Sequence, residues 1–434
     1  MLYVLSTFDS PRLRYALDLV LQQMLGLEWT LVMAADYEPE KHAPLVNYTQ
    51  LMLEEAIDLP NSGLLSKDVV EEVDLKVSQQ GGKSWLFFYP VSGRSYQLPY
   101  DVFSAVFYLA TEYEKYVWGH KDQYDRDDHS AYPSQEYGLN EWPLAHVYAF
   151  QLGEVLQQTF NLRPQPPIPQ DEITIDVDFP WKYKHKGLVV ELGGLVKDVV
   201  KGGWHRLGER FTALFRGKDP NYTFPLIQAC CSPDKTRFFF LIDRNSPHDS
   251  RFTHHHPEYR ALIQSLAEAG YGLGIHPSFT SYLDEKRLQT ETEALKKLVK
   301  KDILHSRQHF LRLKLPDTYR YLLDIGIKAE YSPCRFQDGG FPAGMCMPYP
   351  WFDLAKNEAT ELMLHPTIAM DRTFQQYLGL HATESVEAFR ILRQRTHQFG
   401  GTFTFLFHND ALSESEEWIG WREPLVTFLG EING

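Results

Sequence analysis

The hexapeptide ITIDVD, from Ile173 to Asp178, combines a β-strand pattern with two carboxylates near its end. Its β-branched residues predict a strand buried in a sheet, where such side chains pack well. Asp176 and Asp178 are two residues apart, so their side chains would point to one face of that strand. Carboxylates at the end of a buried strand are typical of α/β barrels, which have their chemistry at that edge. We therefore expect this strand to define the fold and to begin the functional site.

After this hexapeptide, strand-like and helix-like segments alternate along the chain. Such repetition predicts parallel strands joined by right-handed crossovers, and thus an α/β fold. Periodicity alone allows a closed (β/α) barrel or an open doubly wound sheet. The predicted strands are residues 172–177, 237–242, 270–276, 305–311, 327–332, 360–365 and 402–408. The predicted helices between them are residues 257–269, 284–301, 316–323 and 384–399.

The first part of the chain has a strand and helix pattern of its own. It predicts helices at residues 10–25 and 100–116 and strands at residues 29–33 and 85–89. A Pro-rich stretch, RPQPPIP at residues 163–169, then predicts an extended linker. Because 434 residues exceed the usual size of one compact core, we expect two domains. We predict a smaller N-terminal α/β domain of unknown role at residues 1–162, a linker at 163–170 and a barrel at 171–434.

A long, basic and partly apolar stretch, residues 182–219, follows the first predicted barrel strand. An insertion at the site end of a barrel could form a lid or a substrate wall. A helical insertion with a purely structural role and a solvent-exposed basic face would explain the same pattern. The sequence leaves both interpretations open.

The overall charge is acidic, because 57 Asp and Glu residues against 43 Lys and Arg residues give a formal net charge of −14. This charge argues against non-specific binding to nucleic acid or to an anionic membrane, and favours a neutral or cationic substrate. The N-terminus does not join a basic region to a long apolar stretch, and no apolar run reaches the roughly 20 residues that span a bilayer. We therefore expect a cytoplasmic protein without a nucleic-acid or membrane partner, and the oligomeric state stays open.

Two motifs resemble those of the polysaccharide deacetylase (NodB-like, carbohydrate esterase family 4) superfamily. Asp176 and Asp178 resemble its first motif, usually TFDDG, and His276 in GLGIHPS resembles its second, usually H-S/T-x-x-H-P. Further runs are similar to a bacterial subgroup of deacetylase-like proteins with an extra N-terminal domain. These runs are YKHKG (183–187), SRQHFL (306–311), GMCMPY (344–349), FHN (407–409) and GWR (420–422).

The resemblance implies an irregular seven-stranded (β/α) barrel that removes acetyl groups from a carbohydrate with the help of a divalent metal, zinc above all. It implies that Asp178 and His276 are metal ligands and that Asp176 is the general base. The arginine of the third motif, which positions the base, corresponds to Arg307, and the histidine of the fifth motif, the general acid, corresponds to His408. A strand-end histidine such as His408 could instead bond a loop carbonyl in the core.

The second motif departs from the family pattern at Thr280, where a second histidine ligand is usual. Catalytic zinc sites normally use three protein ligands, so a replacement is required if a metal binds. Two histidines are candidates. His309 follows Arg307 at a predicted strand end, and His254 lies in the loop after the second predicted barrel strand. His309 could also be a satisfied core histidine, and we interpret the neighbouring His255 and His256 as an exposed helix start.

Further residues near these motifs admit two interpretations each. Asp371 corresponds to a subgroup carboxylate near the groove, or is a lone loop carboxylate. Pro342 stands where the subgroup usually has arginine, within a Gly-Pro loop. Aromatic residues near the motifs suit stacking on sugar rings, or fill the core. They are Trp181, Tyr183, Tyr349, Trp351 and Phe352.

These observations favour a metal-dependent carbohydrate deacetylase that hydrolyses N-acetyl or O-acetyl groups. The substitution at Thr280 leaves an alternative open: a non-catalytic glycan-binding or scaffolding protein in polysaccharide biosynthesis, built on a degenerate deacetylase barrel. A metal-dependent phosphodiesterase is a third class, which the acidic charge disfavours.

Overall fold

The computed structural model describes residues 1–80, 83–87, 89, 96–200 and 203–434. Within these residues the fold is mixed α/β, with one small parallel sheet and one large curled sheet. The strands are β1 (Leu2–Ser6), β2 (Trp29–Met33), β3 (Leu45–Asn47), β4 (Ala56–Asp58), β5 (Ser78–Gln80), β6 (Lys83–Trp85), β7 (Gln170–Val177), β8 (Thr236–Phe240), β9 (Gly272–Ile275), β10 (His305–Ser306), β11 (Ala329–Glu330), β12 (Tyr349–Asp353), β13 (Glu358–Leu364), β14 (Thr367–Met370) and β15 (Thr402–His408). The helices are α1 (Pro11–Leu17), α2 (Val102–Ala110), α3 (Tyr113–Val117), α4 (Pro133–Glu136), α5 (Leu144–Phe160), α6 (Leu188–Val200), α7 (Trp204–Arg216), α8 (Phe224–Cys230), α9 (Pro257–Glu268), α10 (Glu285–Val299), α11 (Asp317–Asp324), α12 (Ala382–Gln398) and α13 (Arg422–Asn433).

The first part of the chain forms a parallel sheet in the order β2-β1-β3-β4. Helix α1 begins after Ser10, whose side chain accepts a hydrogen bond from the backbone N–H of Leu13, and π-helical turns continue it to Met24. The predicted helix at 100–116 is two helices, α2 and α3, because the chain turns at Glu112, whose φ is +48°. The predicted strand at 85–89 includes residue 88, which lies outside the described residues, and β6 ends at Trp85.

The Pro-rich stretch contains neither helix nor strand. Buried apolar residues from both sides of it join one continuous cluster, for example Leu156 of α5 and Ile173 of β7. The predicted division into two domains at this stretch stays a prediction.

The large sheet has nine strands within the described residues, in the order β12-β13-β11-β10-β9-β8-β7-β15-β14. All neighbours are parallel except β12 and β13. A further parallel bridge joins Thr367 of β14 to Cys334, which lies four residues after β11. This bridge brings the last strand of the order back toward the opposite side, so the sheet is curled and consistent with a barrel.

Each of the seven strands predicted after the linker overlaps an observed strand, although several are shorter than predicted. The sequence analysis missed β12 and β14. Strand β12 lies at an edge and contains Pro350, a residue that weakens a strand pattern because it cannot donate a backbone hydrogen bond. Strand β14 has four residues and follows Pro366 closely.

Strand β7 lies between β15 and β8, and its alternating side chains have two environments. Ile173, Ile175 and Val177 pack in the main apolar cluster. Thr174 and Asp176 lie on the other face, where both contact Arg307. The period of two along a strand therefore separates the core residues from the site residues of this hexapeptide.

The insertion after β7 contains α6 and α7, and residues 201 and 202 between them lie outside the described residues. Among the helices that the structure describes, none is both long and apolar enough to cross a membrane.

Candidate metal centre

A group of polar side chains gathers where the strands of the curled sheet end. Asp178 follows β7, His276 follows β9 and His309 follows β10, and His408 is the last residue of β15. All four residues are buried. The carboxyl ends of neighbouring parallel strands meet at one edge, which explains why positions so far apart in sequence converge.

The carboxylate of Asp178 is the centre of this group. Its Oδ1 lies 3.4 Å from Nε2 of His276, and its Oδ2 lies 3.9 Å from Nε2 of His309 and 3.8 Å from Nε2 of His408. Asp178 Oδ1 is buried and has no hydrogen-bond partner within the described residues. A buried carboxylate oxygen without a partner is costly, so an additional cation at this point would stabilise the site.

Asp178, His276 and His309 have the spacing and chemistry of metal ligands. One ligand atom from each lies within 4.8 Å of the other two. Ligand atoms in a tetrahedral zinc site are about 3.3 Å apart, because each lies about 2.0 to 2.1 Å from the ion. The donor set of one carboxylate and two imidazoles is also one that divalent transition metals accept. These three residues therefore fit a metal ion, and the buried Asp-His-His group could hold one.

Each histidine ring is oriented by an acceptor at its Nδ1. The acceptor is the carbonyl oxygen of Arg307 for His276, at 2.6 Å. It is Oδ1 of Asp249 for His309, at 3.1 Å, and Oδ1 of Asp371 for His408, at 2.9 Å. When Nδ1 donates to such an acceptor, the neutral ring presents the lone pair of Nε2, the atom that faces Asp178.

The charges in the group shift the pKa of its members in opposite directions. Burial alone would raise the pKa of Asp178, but the adjacent rings of His276, His309 and His408 hold it well below its usual range. Burial would lower the pKa of His408, yet the carboxylate of Asp371 outweighs burial and raises it. The pKa of His276 is also raised, because Asp176 and Asp178 outweigh burial.

Asp176 lies beside the centre and is held by Arg307. Arg307 Nη1 donates to Asp176 Oδ1 at 2.9 Å, and Asp176 Oδ2 lies 3.8 Å from Nε2 of His276. The rest of the guanidinium donates to Oγ1 of Thr174, Oγ1 of Thr367 and the carbonyl of Tyr331, at 2.9 to 3.1 Å. Arg307 is fully buried, so this network fixes one oxygen of Asp176 and leaves the other directed toward the histidines.

A cavity of about 390 Å³ opens onto the group. Apart from Asp176, Asp178 and the three histidines, its walls include Phe179, Phe310 and Tyr377, as well as Arg126 and Arg372. Arg126 belongs to the first 162 residues, so the N-terminal part of the chain contributes to the wall of this cavity. Arg126 pairs with Asp122 and stacks on Phe336, with its Cζ 3.8 Å from the ring centre.

The structure brings together Asp176, Asp178, His276, Arg307, His309 and His408. His254 lies apart from them, since its Nδ1 bonds the carbonyl of Ile242 at 3.0 Å and it belongs neither to the Asp-His-His group nor to the cavity wall. Thr280, at the position of the usual second histidine, is exposed and hydrogen-bonds the side-chain amide of Asn245 at 2.9 Å.

Asp371, for which the sequence allowed two interpretations, accepts hydrogen bonds from both the backbone N–H and the ring of His408. Sequence reasoning missed Asp249 and the two cavity arginines, Arg126 and Arg372. Asp249 lies in a loop with no strand-end pattern, and arginines on a cavity wall have no local signature.

The aromatic residues named from the sequence are buried and do not line this cavity; all but Tyr183 belong to the apolar core. These residues are Trp181, Tyr183, Tyr349, Trp351 and Phe352. Pro342 is likewise buried, and it lines a separate small cavity against α2. Phe179 and Tyr377, 40% and 44% exposed, are the cavity aromatics most open to a ligand.

One protein-family model matches the first part of the chain. Residues 2–161 match the model of DUF7033, a family of unknown function. No curated protein matches the chain. Two solved structures with some likeness are described as a "putative polysaccharide deacetylase" from Mycobacterium smegmatis and a "probable polysaccharide deacetylase" from Pseudomonas aeruginosa PAO1.

The Mycobacterium protein is 16% identical, with a TM-score of 0.39, and the alignment covers 62% of this chain and 86% of that one. For the Pseudomonas protein the identity is 9%, the TM-score 0.39 and the coverage 61% and 84%. A third structure, PuuE allantoinase, is 12% identical, with a TM-score of 0.37 and coverage of 61% and 84%. Likenesses at these identities and TM-scores say nothing about the activity of this chain.

Proposed function

We propose that this protein is a metal-dependent hydrolase that removes acetyl groups from a carbohydrate. The observation that supports this most is the buried Asp178 carboxylate, which faces Nε2 atoms of His276 and His309 while Asp176 and His408 lie beside it. Asp176, Asp178, His276, Arg307 and His408 occur along the chain in the order of the deacetylase motifs that the sequence resembles. The proposal interprets the curled sheet as the irregular seven-stranded barrel of that superfamily.

Asp178, His276 and His309 would hold the metal, and zinc suits this donor set. When bound, the ion supplies a water molecule of lowered pKa and polarises the acetyl carbonyl. In the usual second motif a histidine at the position of Thr280 would be the third ligand. Here His309 would serve as that ligand instead. Asp249 supports this assignment, because it orients the His309 ring through Nδ1.

Asp176 would act as the general base. Its Oδ1 is occupied by Arg307, while its Oδ2 has no hydrogen bond within the described residues and points to the side of His276. Oδ2 can therefore accept the proton of the attacking water. Arg307 would act as a positioning residue, since it contacts the base and lies outside the cavity wall.

His408 would act as the general acid. Asp371 raises its pKa, so the ring can hold a proton that it donates to the leaving amine or hydroxyl of the sugar. The water oxygen forms a bond to the acetyl carbon, the C–N or C–O bond breaks, and acetate leaves with the deacetylated sugar.

The cavity supports a small saccharide as substrate. Its volume of about 390 Å³ lies in the range of sites that enclose small ligands. Phe179 and Tyr377 offer flat faces for the C–H surface of a sugar ring. A cytoplasmic location, and thus a cytoplasmic glycan precursor or small acetylated sugar, is part of this proposal.

Acetate release tests the proposal. The zinc-loaded protein is incubated with a panel of N-acetylated and O-acetylated mono- and oligosaccharides, beside the Asp176→Asn variant and an exposed control, Asp234→Asn. We expect turnover by wild type and control, and a loss of about a hundredfold or more in Asp176→Asn at equal zinc content. Equal turnover by all three would contradict the assigned base. Sugar binding without any turnover in the zinc-loaded protein would favour the non-catalytic, glycan-binding alternative.

A further inference from the structure

The insertion hairpin, which we define as residues 182–218, exposes an unusual amount of apolar surface. Among its side chains, Val200 is 79% exposed, Phe215 75% and Trp204 74%. Large apolar residues exposed on α6 and α7 also include Leu192, Leu195, Val196, Val199, Phe211 and Leu214. Large apolar side chains exposed in this number within one segment point to an interaction surface in a folded protein.

The exposed residues follow the helical repeat on both helices. On α6, Leu192, Leu195, Val196 and Val199 are spaced i, i+3, i+4 and i+7. On α7, Phe211 is followed at i+3 and i+4 by Leu214 and Phe215. This spacing gives each helix one apolar stripe, which in a globular protein normally faces the core.

In this hairpin the two helices instead face each other through charges. Arg210 of α7 pairs with Glu191 and with Asp198 of α6, the latter at 2.9 Å. Arg206 also pairs with Asp198, at 3.1 Å. A Cβ on Gly194 would lie 2.6 Å from Nη2 of Arg210, so glycine makes room for this guanidinium. Ion pairs therefore join the helices, and the apolar stripes are left without a partner in the described structure.

The charge of the hairpin is opposite to that of the whole chain. Residues 182–218 contain nine Lys and Arg against three Asp and Glu, whereas the full sequence has a net charge of −14. Within the described residues Lys197, Arg216 and Lys218 have no ion-pair partner. Cationic residues next to an exposed apolar stripe with Trp, Phe and Leu are the signature of helices that lie in a membrane interface.

The base of the hairpin is fixed to the end of β7. The carboxylate of Asp219 accepts hydrogen bonds from the backbone N–H groups of Lys182, Tyr183 and Lys184, at 2.8 to 2.9 Å. Lys182 also pairs with Glu209 of α7 at 3.0 Å. The hairpin is therefore attached at the edge of the sheet that bears the Asp-His-His group.

We propose that the insertion hairpin docks this protein onto a lipid bilayer that contains anionic headgroups. The apolar stripes enter the boundary between headgroups and acyl chains, and the unpaired Lys and Arg residues contact the lipid phosphates. Charge complementarity favours anionic lipid over a second copy of the chain. Residues 182–218 carry nine Lys and Arg against three Asp and Glu, so two hairpins packed on each other would bring like charges together. The earlier expectation of no membrane partner came from the whole-chain charge, which this segment does not share.

Vesicle binding tests the proposal with the full-length protein. Co-sedimentation is measured with vesicles of phosphatidylcholine alone and of phosphatidylcholine mixed with phosphatidylglycerol, at low and high salt. We expect binding to the mixed vesicles, weaker binding at high salt, and little binding to phosphatidylcholine alone. A blue shift of tryptophan fluorescence on binding that disappears in Trp204→Phe would locate the contact at the hairpin.

Variants separate the apolar and charged contributions. Phe211→Asp with Phe215→Asp is expected to weaken binding by about tenfold or more, because two exposed rings no longer enter the interface. Lys197→Glu with Lys218→Glu is expected to weaken binding to the mixed vesicles selectively. Ile168→Asp is the matched control, since Ile168 is 82% exposed in the Pro-rich stretch outside the hairpin.

The opposite results overturn the proposal. The proposal is wrong if the protein binds none of the vesicle compositions. It is also wrong if the double variant Phe211→Asp with Phe215→Asp binds the mixed vesicles as well as wild type does. Light scattering without vesicles gives a further check. A dimer that the same double variant dissociates, together with absence of vesicle binding, would assign the stripes to a second copy of the chain instead.

Discussion

Arg307 Nη1 donates to Asp176 Oδ1 across 2.9 Å, with both side chains buried beneath the candidate metal centre. The pair joins β7 to the end of β10, and three further acceptors satisfy the guanidinium. A charge so deep in the protein is tolerated because it is paired with Asp176 and makes four hydrogen bonds. The same pair therefore supports both the fold and the proposed base.

Arg307→Met is expected to lower the free energy of unfolding by about 3 to 5 kcal/mol, because it leaves Asp176 buried without its counter-charge. Urea denaturation measures this. The surface variant Arg287→Met is the control and should change stability by about 0.5 kcal/mol or less. The double variant Arg307→Met with Asp176→Asn should recover part of the loss. A cost for Arg307→Met no larger than that of the control would contradict the role of this pair.

Asp371→Asn is expected to lower kcat by about a hundredfold while the zinc content stays unchanged, because Asp371 contacts His408 but belongs to neither the metal group nor the cavity wall. Acetate release and elemental analysis measure the two quantities. Asp302→Asn, at an exposed surface pair with Lys296, is the control. Loss of zinc in Asp371→Asn would show that Asp371 is needed for zinc binding, and would contradict its role in orienting the general acid His408.

Glu291 predicts a pH dependence of stability. Its side chain is buried, it accepts hydrogen bonds from Ser278 and Ser281, and burial raises its pKa from 4.5 to about 7. Below pH 4.5 both the folded and the unfolded states hold the proton. As the pH rises from 4.5 to about 7, only the unfolded state loses it, so the free energy of unfolding falls across this window and is constant above it.

The Glu291 carboxyl should change the free energy of unfolding by about 3 kcal/mol across this pH window. The Glu291→Gln variant should lack this pH-dependent change. Urea denaturation at a series of pH values, with the variant compared to wild type, measures it. Glu293→Gln, about half exposed on the same helix, is the control. A wild-type slope that Glu291→Gln leaves unaltered would contradict the buried, protonated state of this carboxyl.

Arg126 predicts that the N-terminal part of the chain affects substrate binding. Its Nε and Nη2 bond Asp122, and no described ion pair joins it to Asp176, Asp178 or His408. Arg126→Gln is therefore expected to raise KM by about tenfold with little change in kcat, because it removes a charged donor from the cavity wall. Steady-state kinetics of acetate release measure both constants, with Arg244→Gln in an exposed loop as the control. A fall in kcat at constant KM would contradict this assignment.

The strand pattern of the second part of the chain was predictable because apolar and β-branched runs end in charged residues. The hexapeptide at Ile173 shows why: its alternation encodes both the buried face and the site face. Strand β12 was not predicted because Pro350 interrupts its strand pattern. Strand β14 was not predicted because its four residues are too few to show a periodicity.

The candidate site was predictable where a residue ends a strand, as Asp178, His276 and His408 do. His309 and His254 could not be separated from sequence, because each follows a strand and the choice depends on the path of a loop. Asp249 and Arg126 could not be found at all. They reach the site from a loop and from the N-terminal part of the chain, through contacts that no local pattern records.

Zinc titration of wild type, His309→Gln and His254→Gln by calorimetry tests the central claim most directly, since the two histidines were equivalent candidates in the sequence. Loss of a group that only orients a ligand already weakens metal binding by about 10- to 100-fold, so loss of a ligand should weaken it at least as much. We predict one zinc site in wild type and in His254→Gln, and a loss of affinity of about a hundredfold or more in His309→Gln. Equal affinity in all three proteins, or absence of zinc binding in wild type, would contradict the Asp178-His276-His309 metal centre.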